Sequence, residues 1–339
     1  MKAIGFYEGK ALETPDSFLD VDLKTPQLLS NDVLVQVKAI SINPIDIKLR
    51  QTTKRQTIPK IIGYDAVGIV TSIGNQVTDF MIGDRVYYAG TTQRDGSYAE
   101  FQAVDARLVA IAPRNLSDPE AAALPLTALT AYELLFEKFG LTPVANANAN
   151  QKILIINGAG GVGSIMSQLA EWSGLEVLAT SSPRNFAWLK SYGVKYPLDY
   201  HQALQPALEQ YGIKRVGYIA ALHNIIPYLE QFPDLIEPFG HLGTIVGVEQ
   251  ALSLSIFKNL AVSFDWEYMF AKSDYDYNLA SQGQILKTIT YLVEQGHLKT
   301  TLNHAISTGI NAINIKKVTQ LVENGQTHGK IVVSGPFNA

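Results

Sequence analysis

From residue 1 to about residue 125, apolar and polar positions alternate with a period of two, in short runs closed by glycines. Residues 33–40, 66–74, 83–89 and 96–104 are four such runs. Successive side chains of a strand point to opposite faces, so alternation places half of each run on a core. Short strands between frequent glycine turns predict a compact, barrel-like β domain. The period changes near Ser117. Ser117-Asp118-Pro119-Glu120 predicts a helix start, with Ser117 as N-cap and Glu120 completing a capping box. Residues 130–135 predict a second helix, and the Ala/Asn run 145–150 predicts an exposed polar connection. Strand and helix patterns then alternate over 153–157, 164–172, 176–180, 185–192, 217–221 and 243–248. That alternation predicts a parallel sheet with helices on both faces. From about residue 283 the chain returns to helix, strand, helix, strand, ending at 330–333.

The apolar run 152–156 feeds directly into Asn157-Gly158-Ala159-Gly160-Gly161-Val162-Gly163 and then into an amphipathic run. Gly158, Gly160 and Gly163 fit G-x-G-x-x-G between a strand and a helix, the context in which that motif binds a dinucleotide. The first glycine permits the bend, the second lets a pyrophosphate approach the backbone, and the third lets helix and strand pack closely. The helix start offers N–H groups and a positive dipole end to phosphates, which brings Gly161 and Val162 into the candidate set. The ordinary alternative is a tight strand-to-helix turn.

The second strand of such a unit normally ends in Asp or Glu when the ligand is NAD. Here it runs into Thr180-Ser181-Ser182-Pro183-Arg184, with no acid. Two hydroxyls and a guanidinium suit a 2′-phosphate, and NADPH is the expected cofactor. Arg184 as a solvated residue at a helix start is the competing reading.

The 339 residues, 47% apolar and 17% charged, suffice for more than one core. A net charge of −4 disfavours nucleic acid as a partner. With no cysteine there is no thiolate nucleophile and no Cys-ligated metal. The first residues lack a signal-peptide run, and no stretch is apolar enough to span a bilayer. A soluble, cytoplasmic protein without a membrane partner is the expectation.

Six stretches, residues 42–46, 63–68, 83–86, 96–101, 129–132 and 158–163, resemble the medium-chain dehydrogenase/reductase superfamily, in its zinc-independent quinone oxidoreductase branch. The resemblance covers nearly the whole chain. Zinc-dependent relatives carry Cys where Asn43 stands and Gly-His-Glu where Gly63-Tyr64-Asp65 stands, so the resemblance implies no metal here. It implies an α/β fold: a Rossmann doubly wound parallel sheet over residues 128–271, inserted into a GroES-like β-rich catalytic domain of residues 1–127 and 272–339. It also implies a homodimer, with an edge strand near Leu252-Ser253-Leu254-Ser255.

The resemblance supplies candidate roles, each beside a plainer reading. Asn43 either orients a substrate carbonyl or nicotinamide amide or sits in an Asn-Pro turn. Asp46 holds that loop, relays a proton, or is a turn residue. Tyr64 donates to a carbonyl oxygen or packs with its hydroxyl on backbone. Thr130 bonds the nicotinamide side or its own helix backbone. Tyr200 lies near the adenosine phosphate or packs as an aromatic. Gly247 follows a strand end that faces the nicotinamide. Lys330 is cofactor-proximal or simply exposed. Trp266, Tyr268, Met269 and Phe270 form a substrate wall, an interface patch or core.

A quinone or an α,β-unsaturated carbonyl is electrophilic by conjugation, so hydrogen-bond donors suffice to stabilise the anion that hydride addition creates. The expected function is NADPH-dependent, zinc-free reduction of quinones or enones. A metal-free carbonyl reductase or alcohol dehydrogenase, and a non-catalytic NADPH-binding protein, are the alternatives.

Overall fold

The computed structural model describes residues 1–325 and 327–337. The chain divides into two compact units, Met1–Leu129 with Phe270–Ala339, and Thr130–Met269. In the first, β1 (Lys2–Gly5) pairs with β2 (Leu19–Asp22). A larger sheet follows from β3 (Asp32–Ser41), β4 (Ala66–Ile73), β5 (Arg85–Tyr88), β6 (Phe101–Asp105) and β7 (Val109–Ile111). Helix α1 (Pro44–Thr52) leaves the end of β3, and α2 (Asp118–Ala122) and α3 (Pro125–Tyr132) follow β7. The alternation seen in the sequence has its cause in β3. Val33, Val35 and Val37 are buried while Leu34, Gln36 and Lys38 are half-buried. Ser117 caps α2 as its sequence predicts, its N–H donating to Glu120 at 2.8 Å.

The second unit carries β8 (Lys152–Ile156), helix α4 (Gly161–Trp172), β9 (Glu176–Ser181), β10 (Tyr196–Asp199), β11 (Val216–Ala221), β12 (Ile236–Thr244) and β13 (Ser263–Trp266). The six strands lie in the order β10-β9-β8-β11-β12-β13, all parallel. This is the doubly wound order, which reverses direction beside the first strand of the unit. Strands covered on both faces read as continuous apolar runs, and Ile153 to Ile156 and Val177 to Ala179 are buried without alternation. Leu154, Ile156, Leu178, Ile219 and Leu242 share one core with Phe232 and Phe257, each such side chain contributing about 1.5–3 kcal/mol. The chain then returns to the first unit through β14 (Leu302–Ile306) and β15 (Lys330–Ser334), and that sheet runs β14-β15-β3-β4-β5-β7, with β6 also on β3.

Several local expectations are corrected. The strand expected at 243–248 is β12, which ends at Thr244. Glu237, Pro238 and Phe239 hide it from periodicity: Phe239 is exposed at φ +63°, and the β11–β12 register shifts beside it. Leu252–Ser255 is not the edge strand. A short helical segment, Leu254–Leu260, packs Phe257 into the core, and the sheet edge on that side is β13. The helix expected at 130–135 starts at Pro125, and from Glu133 its turns widen, with the Phe139 N–H donating five residues back to Leu134. Residues 96–98 do not belong to β6 but bond residues 61–63. The 145–150 connection is anchored by buried Asn148, whose amide exchanges bonds of 3.0 and 2.9 Å with the Thr142 backbone. No helix among the described residues is long and apolar enough to cross a membrane.

Candidate active site

In the first unit, three adjacent strands place chemistry at one end of the sheet. β15 and β4 each run antiparallel to β3, so the start of β15, the end of β3 and the start of β4 coincide. These positions are Lys330, Ile42-Asn43 and Asp65. Lys330 is 4% exposed and Asp65 fully buried. The Lys330 ammonium has three N–H groups and three acceptors: Ile42 O at 3.0 Å, Asp65 Oδ2 at 3.3 Å and Asn43 Oδ1. Asn43 Nδ2 donates to Asp65 Oδ2 at 2.8 Å, and the Leu126 N–H at the start of α3 donates to Asp65 Oδ1 at 2.8 Å. Burial pushes the Asp65 carboxyl up and the Lys330 ammonium down. Asp65 accepts from three donors, one of them the ammonium, and each Lys330 proton faces an acceptor, an arrangement that suits an ionised pair. The plainer reading of Lys330, an exposed lysine, is overturned.

Asn43 N-caps α1 with Pro44 at the first helical position, and its backbone N–H donates to Asp46 Oδ2 at 2.6 Å. Both ends of its side-chain amide are engaged inside the cluster. Asp46 is 2% exposed and its Oδ1 is buried without a partner among the described residues. Burial pushes its carboxyl up to about 8 against the pull of the Asn43 N–H. Tyr64, 1% exposed, sets its ring edge-on to Phe270 at 5.1 Å. Tyr98 is fully buried, and burial with Asp46, Tyr64 and Asp65 nearby drives its hydroxyl well above the usual range. Gly63 is required here: its φ is +114°, and a Cβ would meet the Tyr98 ring at 2.4 Å. Phe270 and Met269 are buried, whereas Trp266 and Tyr268 are each 46% exposed. The sequence reading missed Tyr98. The sequence signal nearest to it was Gly63, whose positive φ and close approach to the Tyr98 ring both require a glycine.

Asp46 makes stability depend on pH. Its folded pKa of about 8 lies above the ordinary 3.8. The stabilisation is therefore complete below the unfolded value and lost as pH rises through the folded one. Asp46→Asn keeps an acceptor for the Asn43 N–H and cannot ionise. Its stability relative to wild type is expected to be flat below about pH 4 and to rise toward pH 8 by at most about 1.4 kcal/mol per pH unit. Denaturant midpoints across a pH series measure this. A pH-independent difference would show that Asp46 has the same pKa in the folded and unfolded protein.

These residues do not fit zinc. The positions of its usual ligands hold an amide, a phenol and a carboxylate already bonded to an ammonium. Among the described residues no group of three or more His, Asp or Glu is placed to hold a metal ion.

In the second unit, the β8–α4 turn carries the glycines. A Cβ on Gly158 would meet Ala179 Cβ at 2.5 Å, and one on Gly163 would meet Asn157 O at 2.4 Å. Close strand–helix packing therefore requires both. A Cβ on Gly160 would meet only the movable Asn157 side chain, at 2.9 Å. Gly160 caps α4, and Gly161, Val162 and Gly163 form its first turn, whose N–H groups have no carbonyl a turn back to bond. The residues thus fit a pyrophosphate at this helix start.

β9 ends at Ser181, and Ser182 and Arg184 follow in a tight turn. Tyr200, 45% exposed, follows β10, and its N–H donates to Ser181 O at 3.3 Å. Ser181, Ser182, Arg184 and Tyr200 thus gather at the carboxyl ends of β9 and β10. Arg184 is exposed and makes no hydrogen bond or ion pair with the described residues. Thr130 is buried in α3, and Gly247 lies exposed three residues beyond β12 with open space around it. Asn185 was not singled out from the sequence, yet it contacts both serine hydroxyls.

Residues 30–114 match the alcohol dehydrogenase GroES-like domain. The chain is 36% identical over 336 residues to a zinc-type alcohol dehydrogenase-like protein of Staphylococcus epidermidis, spanning 98% of this chain and 99% of that one. It is 30% identical over 329 residues to the 2-methylene-furan-3-one reductase of Solanum lycopersicum, spanning 93% of this chain and 74% of that protein. The crystal structure of a protein from Rhizobium etli, described as a zinc-dependent alcohol dehydrogenase, matches with a TM-score of 0.93 and 39% identity, over 99% of this chain and 98% of that one.

Proposed function

Since the chain belongs to the medium-chain dehydrogenase/reductase superfamily, in its quinone oxidoreductase-like branch, we propose that it is an NADPH-dependent, zinc-free reductase of quinones or α,β-unsaturated carbonyls. The observation that carries this reading is the Lys330–Asp65–Asn43 cluster. It places a buried, hydrogen-bonded lysine–carboxylate pair where zinc-dependent relatives keep metal ligands. Without a Lewis acid at that place, a conjugated acceptor is the substrate that needs least further activation. The relationship to a furanone reductase whose substrate carries a methylene conjugated to a ketone supports the same class.

When bound, NADPH supplies the hydride. The glycine turn and the first turn of α4 hold its pyrophosphate, and the lack of a packing reason for Gly160 fits a backbone approached by phosphate. Ser181, Ser182, Arg184 and Tyr200 hold the 2′-phosphate, and Thr130 and Gly247 border the nicotinamide. Tyr64 donates to the reacting carbonyl, the role the family resemblance implies for it. Asn43 and Asp46 act by position, fixing the start of α1 through bonds already made.

The test is NADPH oxidation with quinones, enals and simple aldehydes side by side, with and without a chelator. Turnover of a quinone or enal that is indifferent to chelator is expected. A preference for simple aldehydes that chelator abolishes would point to metal-assisted carbonyl reduction. Tight NADPH binding with no turnover on any acceptor would point to a binding protein.

A further inference from the structure

The end of β9 is organised by a side chain outside the usual fingerprint. Asn185 closes the turn with its backbone N–H on Ser182 O at 2.9 Å. Its side-chain Nδ2 then donates to Ser181 Oγ at 3.0 Å and to Ser182 Oγ at 3.3 Å. An amide nitrogen has two protons and no acceptor lone pair, so both serine oxygens accept from it. Each hydroxyl proton is therefore directed elsewhere, and neither hydroxyl donates to any described residue. Ser181 is 7% exposed, so its hydroxyl is held rather than freely rotating in water.

We propose that Asn185 is a positioning residue for cofactor choice: it fixes the Ser181 and Ser182 hydroxyls with their protons outward, making the turn a donor-only cradle for a 2′-phosphate. The inference rests on the NADPH reading above. A phosphate group offers acceptors alone, so a site of oriented O–H donors beside Arg184 matches it, whereas a ribose hydroxyl gains more from an acceptor. The acid nearest along the sheet is Asp199, in register with Ser181 on β10. It is already engaged by His201, through the backbone N–H at 3.1 Å and the ring Nδ1 at 2.7 Å. Both contacts fall on its Oδ1, and neither serine hydroxyl donates to Asp199 among the described residues.

The experiment is equilibrium titration of wild type, Asn185→Ala and Asn185→Asp with NADPH and NADH, and with adenosine 2′,5′-bisphosphate and 5′-AMP as fragments. Asn185→Ala should weaken NADPH and the bisphosphate about tenfold, the size of one good hydrogen bond, and leave NADH and 5′-AMP within about twofold. Asn185→Asp should weaken the phosphate-bearing ligands about a hundredfold or more. Its carboxylate accepts both hydroxyl protons and repels the phosphate. Melting temperatures without ligand should fall only slightly, since the half-buried side chain contributes two hydrogen bonds and no core packing. Equal losses for both ligand classes would mean that Asn185 only supports the backbone. No loss in either variant would mean that the hydroxyls orient without it. A wild type that prefers NADPH with neutral variants removes this inference alone, whereas a wild type that prefers NADH removes the cofactor reading with it.

Discussion

Lys330→Met is expected to cost about 3–5 kcal/mol of folding stability, because it strands a buried carboxylate without its counter-ion. Asp65 would keep the Leu126 and Asn43 donors and lose the only ammonium that reaches it among the described residues. Asn43 Oδ1 would lose its donor as well. Asp65→Asn is expected to cost a similar amount for the opposite reason, an unpaired buried ammonium. The double variant should then be more stable than the sum of the single losses implies, by about 2 kcal/mol or more. A double-mutant cycle by urea or guanidinium unfolding measures the coupling. Losses that add within about 0.5 kcal/mol would show that the two charges do not depend on each other. Lys330→Arg does not rescue by default, since a planar guanidinium cannot point three protons at acceptors placed around a tetrahedral ammonium.

The second large effect concerns the β9 turn. Arg184→Ala is expected to weaken NADPH binding roughly ten- to a hundredfold, equivalent to about 1.5–3 kcal/mol for a charge-assisted bond to phosphate. Arg184 has no partner among the described residues to reorganise, so NADH affinity should hardly move. Ser181→Asp should go further and reverse the preference. A carboxylate at the end of β9 repels the 2′-phosphate and accepts bonds from ribose hydroxyls. Turnover at saturating cofactor should change little in either variant, since both act on binding. Cofactor titrations at one fixed salt concentration decide the matter. Equal losses for NADPH and NADH on Arg184→Ala would assign the residue to structure.

By itself the sequence determined most of the second unit, because its signals are local. The run 152–156, the glycines of the turn and the hydroxyls at the end of β9 lie within about thirty residues, and βαβ geometry follows from that order alone. The same holds for the cap at Ser117, where the donor and acceptor are three residues apart. It failed at β12, where a proline and a left-handed Phe239 break the period, and at Leu254–Leu260, where four alternating residues suit a strand and a helical turn equally.

The charged core of the first unit was decided by tertiary structure. Asn43, Tyr64 and Asp65 could be marked from their motifs, but nothing near Lys330 in the sequence announces a buried cation. Its partner Asn43 lies 287 residues away. Only the pairing of β15 and β4 on the two sides of β3 brings the ammonium, the amide and the carboxylate to one sheet end. Once there, burial makes each charge untenable without the others. That dependence is a property of the packed interior, where water no longer screens or solvates the groups, and no pattern of neighbouring residues encodes it.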